Sequence, residues 1–355
     1  MESTLSIQVE KTQNSRLSQV DFDNIPFGRV FSDHMFVTEF KNGAWTNSSI
    51  KEYGNLEITP ALISLHYGQS VFEGMKAYKN TKGEVFLFRP MENIKRLNRS
   101  ADRLCMQNID EDLFLEGLKQ LVALDSNWIP EADGCSLYIR PFLFGSDEFI
   151  GVRPSDEYKF IIFTCPVSKY YSEPVKVLVE QKYTRAAKGG VGYAKAAGNY
   201  AGALLPAKLA QEKGYHQLIW TDANEHEYIE ESGTMNLMVV IDDKLITPPV
   251  SDTTLPGITR DSVLTVARHW GITVEERALS IKEVLEAHKA GKLTEMFGTG
   301  TAATIAQIRS IAYKKENHEL TPVETREFSN KVSAFLNDLR TGNGEDPFGW
   351  RVQVK

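Results

Sequence analysis

The 355-residue sequence is poor in cysteine, with only Cys105, Cys135 and Cys165. No two of them form a CxxC pair, and no histidine lies at zinc-ligand spacing from them. A disulfide framework and a zinc motif are therefore both missing. We expect three buried thiols in a reducing compartment, and no metal site.

Long apolar runs and basic blocks are also missing. No window approaches the roughly 20 apolar residues that a membrane-spanning helix needs, and the N-terminal stretch lacks the apolar core of a signal peptide. The formal net charge of −7 disfavours nucleic acid and anionic membranes as main partners. These absences predict a cytoplasmic protein that acts on a small molecule.

The chain is long enough, and at 42% hydrophobic residues apolar enough, for two domains. Strand and helix patterns alternate irregularly, which predicts a mixed α/β (α+β) fold. The polar stretch 168–174 ends in proline and predicts a linker. We therefore expect a smaller N-terminal α/β domain over 1–167 and a larger C-terminal α/β domain over 175–355, the latter carrying Lys195.

Local patterns predict individual elements. Strands are predicted at 84–90, 135–144, 157–167, 216–222 and 293–298, with a hairpin over 236–249 that turns at Asp242 and Asp243. Helices are predicted at 91–104, 110–128, 255–271 and 280–291, and a helical pattern follows the small residues that begin at Thr299. Thr259 is a plausible cap for the third helix, and Ser280 with Glu283 forms a capping box for the fourth.

Lys195 stands apart from the other charged residues. It lies in GGVGYAKAAGNYAGALL, residues 189–205, with no charge within six positions on either side. Desolvation lowers the pKa of a lysine and leaves a free amine that can form a Schiff base with an aldehyde. A structural role fits the same surroundings, and Lys76 in VFEGMKAY competes on equal terms, so local composition leaves the choice open.

Seven short motifs, which occur in one order along the sequence, favour Lys195 over Lys76 through a family resemblance. They are YGQSVFEGMKAY, LFRPMENIKRL, YIRP, GGVGYAKAAGNYA, EESGTMNLMVV, LPGITRDSVL and MFGTGTAA. Together they resemble the motif set of branched-chain amino acid aminotransferases, from about residue 27 to 310. The resemblance implies a class IV enzyme dependent on pyridoxal 5'-phosphate, with the two-domain fold type IV that is shared with D-amino acid aminotransferases.

The implied reaction is a reversible ping-pong transamination. The amino group of L-leucine, L-isoleucine or L-valine passes to 2-oxoglutarate, giving the branched 2-oxo acid and L-glutamate. Lys195 corresponds to the lysine that forms a Schiff base with the cofactor and moves the substrate α-proton. Glu231 corresponds to the carboxylate at the pyridine nitrogen, although the adjacent Glu230 has equal chemistry, and Tyr200 corresponds to the partner of the phenolic oxygen.

The resemblance also assigns the remaining binding residues. The cofactor phosphate is expected to contact Arg96, the amides of Ile258 and Thr259, and Thr301, although the helical period alone places Arg96 on the solvent face. The substrate is expected to contact Tyr67, Phe72, Tyr138, Arg140, Thr234 and the amide of Ala302. Ile150 and Val152 correspond to residues that close the neighbouring subunit's pocket, which implies a homodimer.

Three alternatives remain open at this stage. D-amino acid aminotransferases and aminodeoxychorismate lyases share the lysine and glutamate positions, but they are shorter and lack the combination of FEGMKAY with ESGTMN. An inactive, cofactor-binding scaffold is the third. One feature of some animal members is absent, because Ala303–Ala306 replaces their CxxC redox pair after GTA.

Overall fold

The computed structural model describes residues 6–132, 134–168, 171 and 173–354. Two compact units divide the chain. The first comprises Met1–Tyr170, Ala194–Gly198 and Asn337–Lys355, and the second comprises Tyr171–Tyr193 and Asn199–Leu336. Each unit contains both helices and sheet, so the predicted mixed α/β fold class is confirmed.

The first part of the chain forms eight strands and three helices among its described residues. They are β1 (Gln8–Val9), β2 (His34–Lys41), β3 (Ala44–Glu52), α1 (Ile63–Tyr67), β4 (Ser70–Phe72), β5 (Met75–Lys79), β6 (Val85–Phe88), α2 (Pro90–Arg103), α3 (Glu111–Leu124), β7 (Ser136–Gly145) and β8 (Tyr158–Val167).

A largely antiparallel sheet organises this unit. Its described strands follow the order β1-β3-β2-β8-β7-β5-β6, and β4 pairs with β7. Helices α2 and α3 supply the buried Leu97 and Phe114 to the core that the strands share. Each large apolar side chain buried in this way stabilises the fold by about 1.5–3 kcal/mol, so α2 is held firmly against the sheet.

The rest of the chain forms the elements β9 (Val175–Val179), α4 (Ala197–Glu212), β10 (Gln217–Thr221), β11 (Ile229–Ser232), β12 (Met235–Ile241), β13 (Lys244–Thr247), α5 (Ile258–His269), β14 (Val274–Glu276), α6 (Ile281–Lys289), β15 (Leu293–Gly300), β16 (Thr304–Tyr313), β17 (Glu316–Glu319), α7 (Phe328–Thr341) and β18 (Arg351–Gln353). The last strand, β18, pairs with β6 of the first unit's sheet.

The sheet of the second unit is mixed. Its described strands follow the order β11-β10-β9-β16-β15-β12-β13-β14, with β17 beside β16. An additional pairing of β11 with β12 closes part of this sheet on itself. Apolar side chains of β9, β12, β15 and α6 form the core. The strands β11, β12 and β15 therefore lie side by side, which matters for the candidate site.

Several local predictions are confirmed. The side chain of Ser280 accepts the backbone N–H of Glu283 at 3.0 Å and caps α6. The hairpin of β12 and β13 turns at Asp242 and Asp243, which have positive φ angles of 48° and 62°, as the favoured two-residue turn requires. Gly271, with φ 76°, follows α5 as predicted.

Three local predictions are wrong. The segment after Thr299 forms the strand β16, because β9 and β15 flank it and supply its backbone partners. Thr259 lies inside α5 and is buried, while Gly257 occupies the cap position. Only Cys165 is a buried thiol; Cys105 is exposed, because it leaves α2 in a left-handed turn with φ 54°.

The predicted domain boundaries stay a prediction. Residues 169, 170 and 172 of the predicted linker lie outside the described residues. The compact units also differ from the predicted division in two segments, because Ala194–Gly198, which includes Lys195, and Asn337–Lys355 belong to the first unit. No helix in the described part of the chain combines the length and apolarity needed to cross a membrane.

Candidate active site

Lys195 is held through its backbone in the first unit. Its carbonyl accepts the N–H of Phe72 at 3.1 Å, and its own N–H donates to Ser100 Oγ at 2.9 Å. The Ser100 hydroxyl in turn donates to the carbonyl of Arg96, also at 2.9 Å, and Val71 forms a β-bridge with Ala196. Strand β4 and helix α2 thus fix the lysine from two sides.

Three predicted substrate residues lie near this lysine. The Lys195 Nζ is 4.9 Å from the centroid of the Phe72 ring, and the Arg140 guanidinium carbon is 4.6 Å from the same ring. Arg140 Nη2 donates to the hydroxyl of Tyr138 at 3.1 Å. Because alternate residues of a strand share a face, β7 presents Tyr138 and Arg140 together.

Arg96 is buried, so the solvent-facing position that helical periodicity gave it is wrong. It is 4% exposed and forms a two-pronged ion pair with the fully buried Glu73, with Nε–Oε1 at 2.7 Å and Nη2–Oε2 at 2.8 Å. Burial alone raises the pKa of Glu73, but the charges of Arg96 and Lys195 and the hydrogen bond from Asn93 hold it below its usual value. The pair is therefore ionised at neutral pH.

Lys76, the rival lysine, is buried on β5. Burial lowers its pKa to about 8, and the positive charge of Arg340 adds to that effect. Lys76 thus has the lowered pKa that a nucleophilic amine needs. The choice between Lys76 and Lys195 cannot rest on amine chemistry alone.

In the second unit, Glu231 is a buried anion with well-defined partners. It lies on β11 and is 3% exposed, and its Oε2 is 3.0 Å from Arg185 Nε, an ion pair without hydrogen-bond alignment. Its Oε1 accepts the backbone N–H of Leu255 at 2.8 Å and Nδ2 of Asn236 at 3.3 Å. A carboxylate held by a cation and two N–H donors stays ionised.

The neighbouring Glu230 is in a different environment. Its carboxyl is buried, Oε2 has no hydrogen-bond partner, and burial raises the pKa. Burial therefore favours the protonated form of Glu230 more than solvent favours that form of an exposed glutamate. The two adjacent acids, which the sequence leaves chemically equal, are therefore both buried but lie in different environments.

The predicted phosphate contacts of the second unit lie at a helix start and a strand turn. Ile258 and Thr259 are the first two residues of α5, where backbone N–H groups have no acceptor within the helix and anions are stabilised. Thr301 and Ala302 lie in the turn between β15 and β16. On the neighbouring strand, Asn236 pairs with both Glu231 and Thr299 in register.

The remaining predicted residues lie at less enclosed positions. Tyr200 is half-buried in α4, and Thr234 is exposed in the turn between β11 and β12. Tyr67, Ile150 and Val152 lie on the surface of the first unit and are 45%, 67% and 89% exposed. Within the described residues, no group of three or more His, Cys, Asp or Glu side chains is arranged to hold a metal ion.

Four residues of these clusters were missed by the sequence interpretation: Glu73, Ser100, Arg185 and Asn236. Glu73 carries a detectable signal, since it is a lone acid between the aromatic Phe72 and Gly74 in a strand-like apolar stretch. Arg185 carries no such signal, because Lys182 and Lys188 lie three positions on either side of it. Ser100 and Asn236 carry none either, because small polar residues of their kind are common at unremarkable positions.

Comparison with known proteins gives a consistent result. The family model for class IV amino-transferases matches residues 70–311. The branched-chain-amino-acid aminotransferase 2 of Bacillus subtilis is 46% identical over 353 residues, which cover 98% of this chain and 97% of that protein.

Solved structures give the same picture. The branched-chain amino acid aminotransferase from Escherichia coli is 29% identical with a TM-score of 0.73, covering 91% of this chain and 99% of that one. The branched-chain aminotransferase of Thermoproteus uzoniensis, solved with norvaline, is 25% identical with a TM-score of 0.75, covering 91% and 100%. The structural similarity therefore covers 91% of this chain in both comparisons.

Gly257 provides a test of the Glu231 environment. A Cβ atom at this position would collide with Oδ1 of Asn236, the residue that donates to Glu231. We expect Gly257→Ala to destabilise the protein by about 1–3 kcal/mol, as overpacking does, and to weaken cofactor binding. Thermal unfolding and a cofactor titration measure both effects.

Gly202→Ala is the matched control. Gly202 lies inside α4 with nothing within 4 Å of an added Cβ, so this change should be neutral or stabilise the protein by up to about 1 kcal/mol. Equal behaviour of the two variants would contradict the described packing of Asn236 against Gly257.

Proposed function

We propose a function for this chain from one premise: it belongs to the class IV aminotransferase family. It is therefore a pyridoxal-phosphate-dependent transaminase with the class IV fold. We propose that its amino donors are L-leucine, L-isoleucine and L-valine, and that its acceptor is 2-oxoglutarate. The donor assignment rests on the 46% sequence identity, over 98% of this chain, to a relative named as a branched-chain aminotransferase.

The residues present fit the cofactor's chemistry. Pyridoxal phosphate, when bound, supplies an electron sink for negative charge at the substrate Cα. Lys195 would bind it through Nζ and would carry the α-proton between the substrate and the cofactor. The backbone bonds to Phe72 and Ser100 keep this lysine in place during the transfer, which favours proton transfer because orientation lowers the barrier.

Glu231 is the better candidate for the pyridine nitrogen. A group that keeps this nitrogen protonated has to be an anion, and Arg185 together with the N–H of Leu255 supports an ionised Glu231. The raised pKa of Glu230 argues against that residue. Tyr200 would donate to the phenolic oxygen.

The phosphate would be held by charge and by backbone dipoles. Arg96 would offer a guanidinium to the dianion, and the amides of Ile258 and Thr259 would offer a helix N-terminus. Thr301 would add a hydroxyl. Each of these groups is a donor, which matches an acceptor-only dianion.

Substrate recognition needs apolar walls and a few polar groups. Phe72, Tyr138 and Tyr67 would form the walls, and Arg140 would hold the side-chain carboxylate of 2-oxoglutarate. Support comes from Arg140, which already lies against the Phe72 ring and donates to the Tyr138 hydroxyl. Thr234 and the amide of Ala302 would hold the α-carboxylate.

We further propose a cytoplasmic homodimer. Ile150 and Val152 leave large apolar side chains in solvent, and contact with a second copy of the chain would bury them. In that assembly the two residues would close the partner's substrate pocket. Cys105 and Cys165 are free thiols, in keeping with a reducing compartment.

A substrate panel tests the function. The purified protein, supplied with pyridoxal phosphate, should transfer the amino group of L-leucine to 2-oxoglutarate and yield L-glutamate, with no comparable activity on D-alanine or aminodeoxychorismate. Lys195→Ala should reduce turnover by at least about 100- to 10,000-fold, because it removes the proton-transfer group.

Lys188→Ala removes an exposed lysine from the same segment and should leave turnover unchanged. Preference for D-alanine or aminodeoxychorismate would instead favour a D-amino acid aminotransferase or an aminodeoxychorismate lyase. Normal turnover by Lys195→Ala would overturn the mechanism.

Substitution of the paired acids tests the anion assignment. Glu231→Gln should lower turnover by about 100-fold while the cofactor remains bound, because a neutral amide cannot stabilise a positive ring nitrogen. Glu230→Gln changes an acid to which the proposal gives no role and should change turnover by less than about threefold. The reverse pattern would transfer the role to Glu230.

A further inference from the structure

Glu73 is a completely buried carboxylate at the junction of β4 and β5. Its backbone N–H donates to the carbonyl of Pro141 at 2.8 Å, which ties the residue to β7. The preceding residue, Phe72, donates its N–H to the Lys195 carbonyl at 3.1 Å. The carboxylate is therefore held in a fixed position close to the segment that carries Lys195.

The Glu73 carboxylate contacts one cation directly and acts on a second. Arg96 binds both oxygens, and Asn93 Nδ2 donates to Oε2 at 2.8 Å. The charged groups that face Glu73 are Arg96 from α2 and Lys195 from the segment 194–198. One negative charge thus lies within the field of two cations.

Stability alone is a poor reason for this arrangement. Burying an ion pair costs desolvation energy that its attraction often only offsets, and apolar residues of similar size are frequently as stable. The contact does, however, fix the guanidinium. Because Nε and one Nη2 hydrogen bind Glu73, a phosphate would be contacted through Nη1 and the other Nη2 hydrogen.

We propose that Glu73 is a positioning residue: it orients the Arg96 guanidinium toward the cofactor phosphate. The inference rests on the proposed function, in which Lys195 carries the cofactor and Arg96 faces its phosphate. It adds a residue to which the motif comparison assigned no role.

The experiment measures the dissociation constants of pyridoxal phosphate and of pyridoxal, which lacks the phosphate. Glu73→Gln cannot hold the guanidinium by two charge-assisted contacts, so the dissociation constant for pyridoxal phosphate should rise at least about fivefold while that for pyridoxal stays within about twofold. Glu92→Gln is the matched control, since Glu92 lies on α2, the helix that carries Arg96, and pairs with the exposed Lys95. Both of its dissociation constants should equal those of the wild type.

Glu73→Asp keeps the charge and tests orientation, so it also covers the case in which Glu73→Gln does not fold. Its carboxylate is one methylene shorter, so the two-pronged contact with Arg96 is lost. The dissociation constant for pyridoxal phosphate should rise at least about fivefold, with that for pyridoxal unchanged. A wild-type dissociation constant for pyridoxal phosphate in Glu73→Asp would overturn the proposal.

The outcomes separate this inference from the proposed function. A wild-type protein without a visible band in pyridoxal phosphate would contradict the function itself. A normal wild type whose affinity for pyridoxal phosphate is unchanged in folded Glu73→Gln would reject the positioning role of Glu73 alone, even if that variant unfolds at a lower temperature.

Discussion

The hydrogen bonds on either side of the Lys195 peptide are the constraint on which the rest of the site depends. The N–H of Phe72 binds the lysine carbonyl, and the hydroxyl of Ser100 joins the lysine N–H to the carbonyl of Arg96. One serine thereby links the residue that would hold the cofactor to the residue that would hold its phosphate. Strand β4 and helix α2 transmit the rigidity of the first unit's core to both.

Charge pairing is the second physical theme, and each unit contains an example within its candidate site residues. Glu73 compensates Arg96 in the first unit, and Arg185 compensates Glu231 in the second. A buried charge without a partner costs several kcal/mol, so each functional ion requires a second, non-reacting one. The quoted motifs contain both members of the first pair, but the resemblance assigns a role only to Arg96.

The sequence predicts the helices well where apolar residues recur at helical spacing, as in α2 and α6. The same periodicity misplaces Arg96, because it detects apolar side chains only, while the arginine is buried through Glu73, 23 positions away in the sequence. Strand β16 is misread for a related reason: its local pattern suits a helix or a strand, and the neighbouring β9 and β15 decide between them. Partners that are distant in the sequence, Arg185 and Leu255, likewise give Glu231 an environment that differs from that of Glu230.

The choice between Lys195 and Lys76 is the central claim, and chemical mapping of the cofactor attachment tests it most directly. The protein loaded with pyridoxal phosphate is reduced with borohydride and digested, and the modified lysine is located by mass spectrometry. The account predicts the pyridoxyl group on Lys195. Modification of Lys76, whose pKa is lowered to about 8 by burial, with an unmodified Lys195, would contradict it.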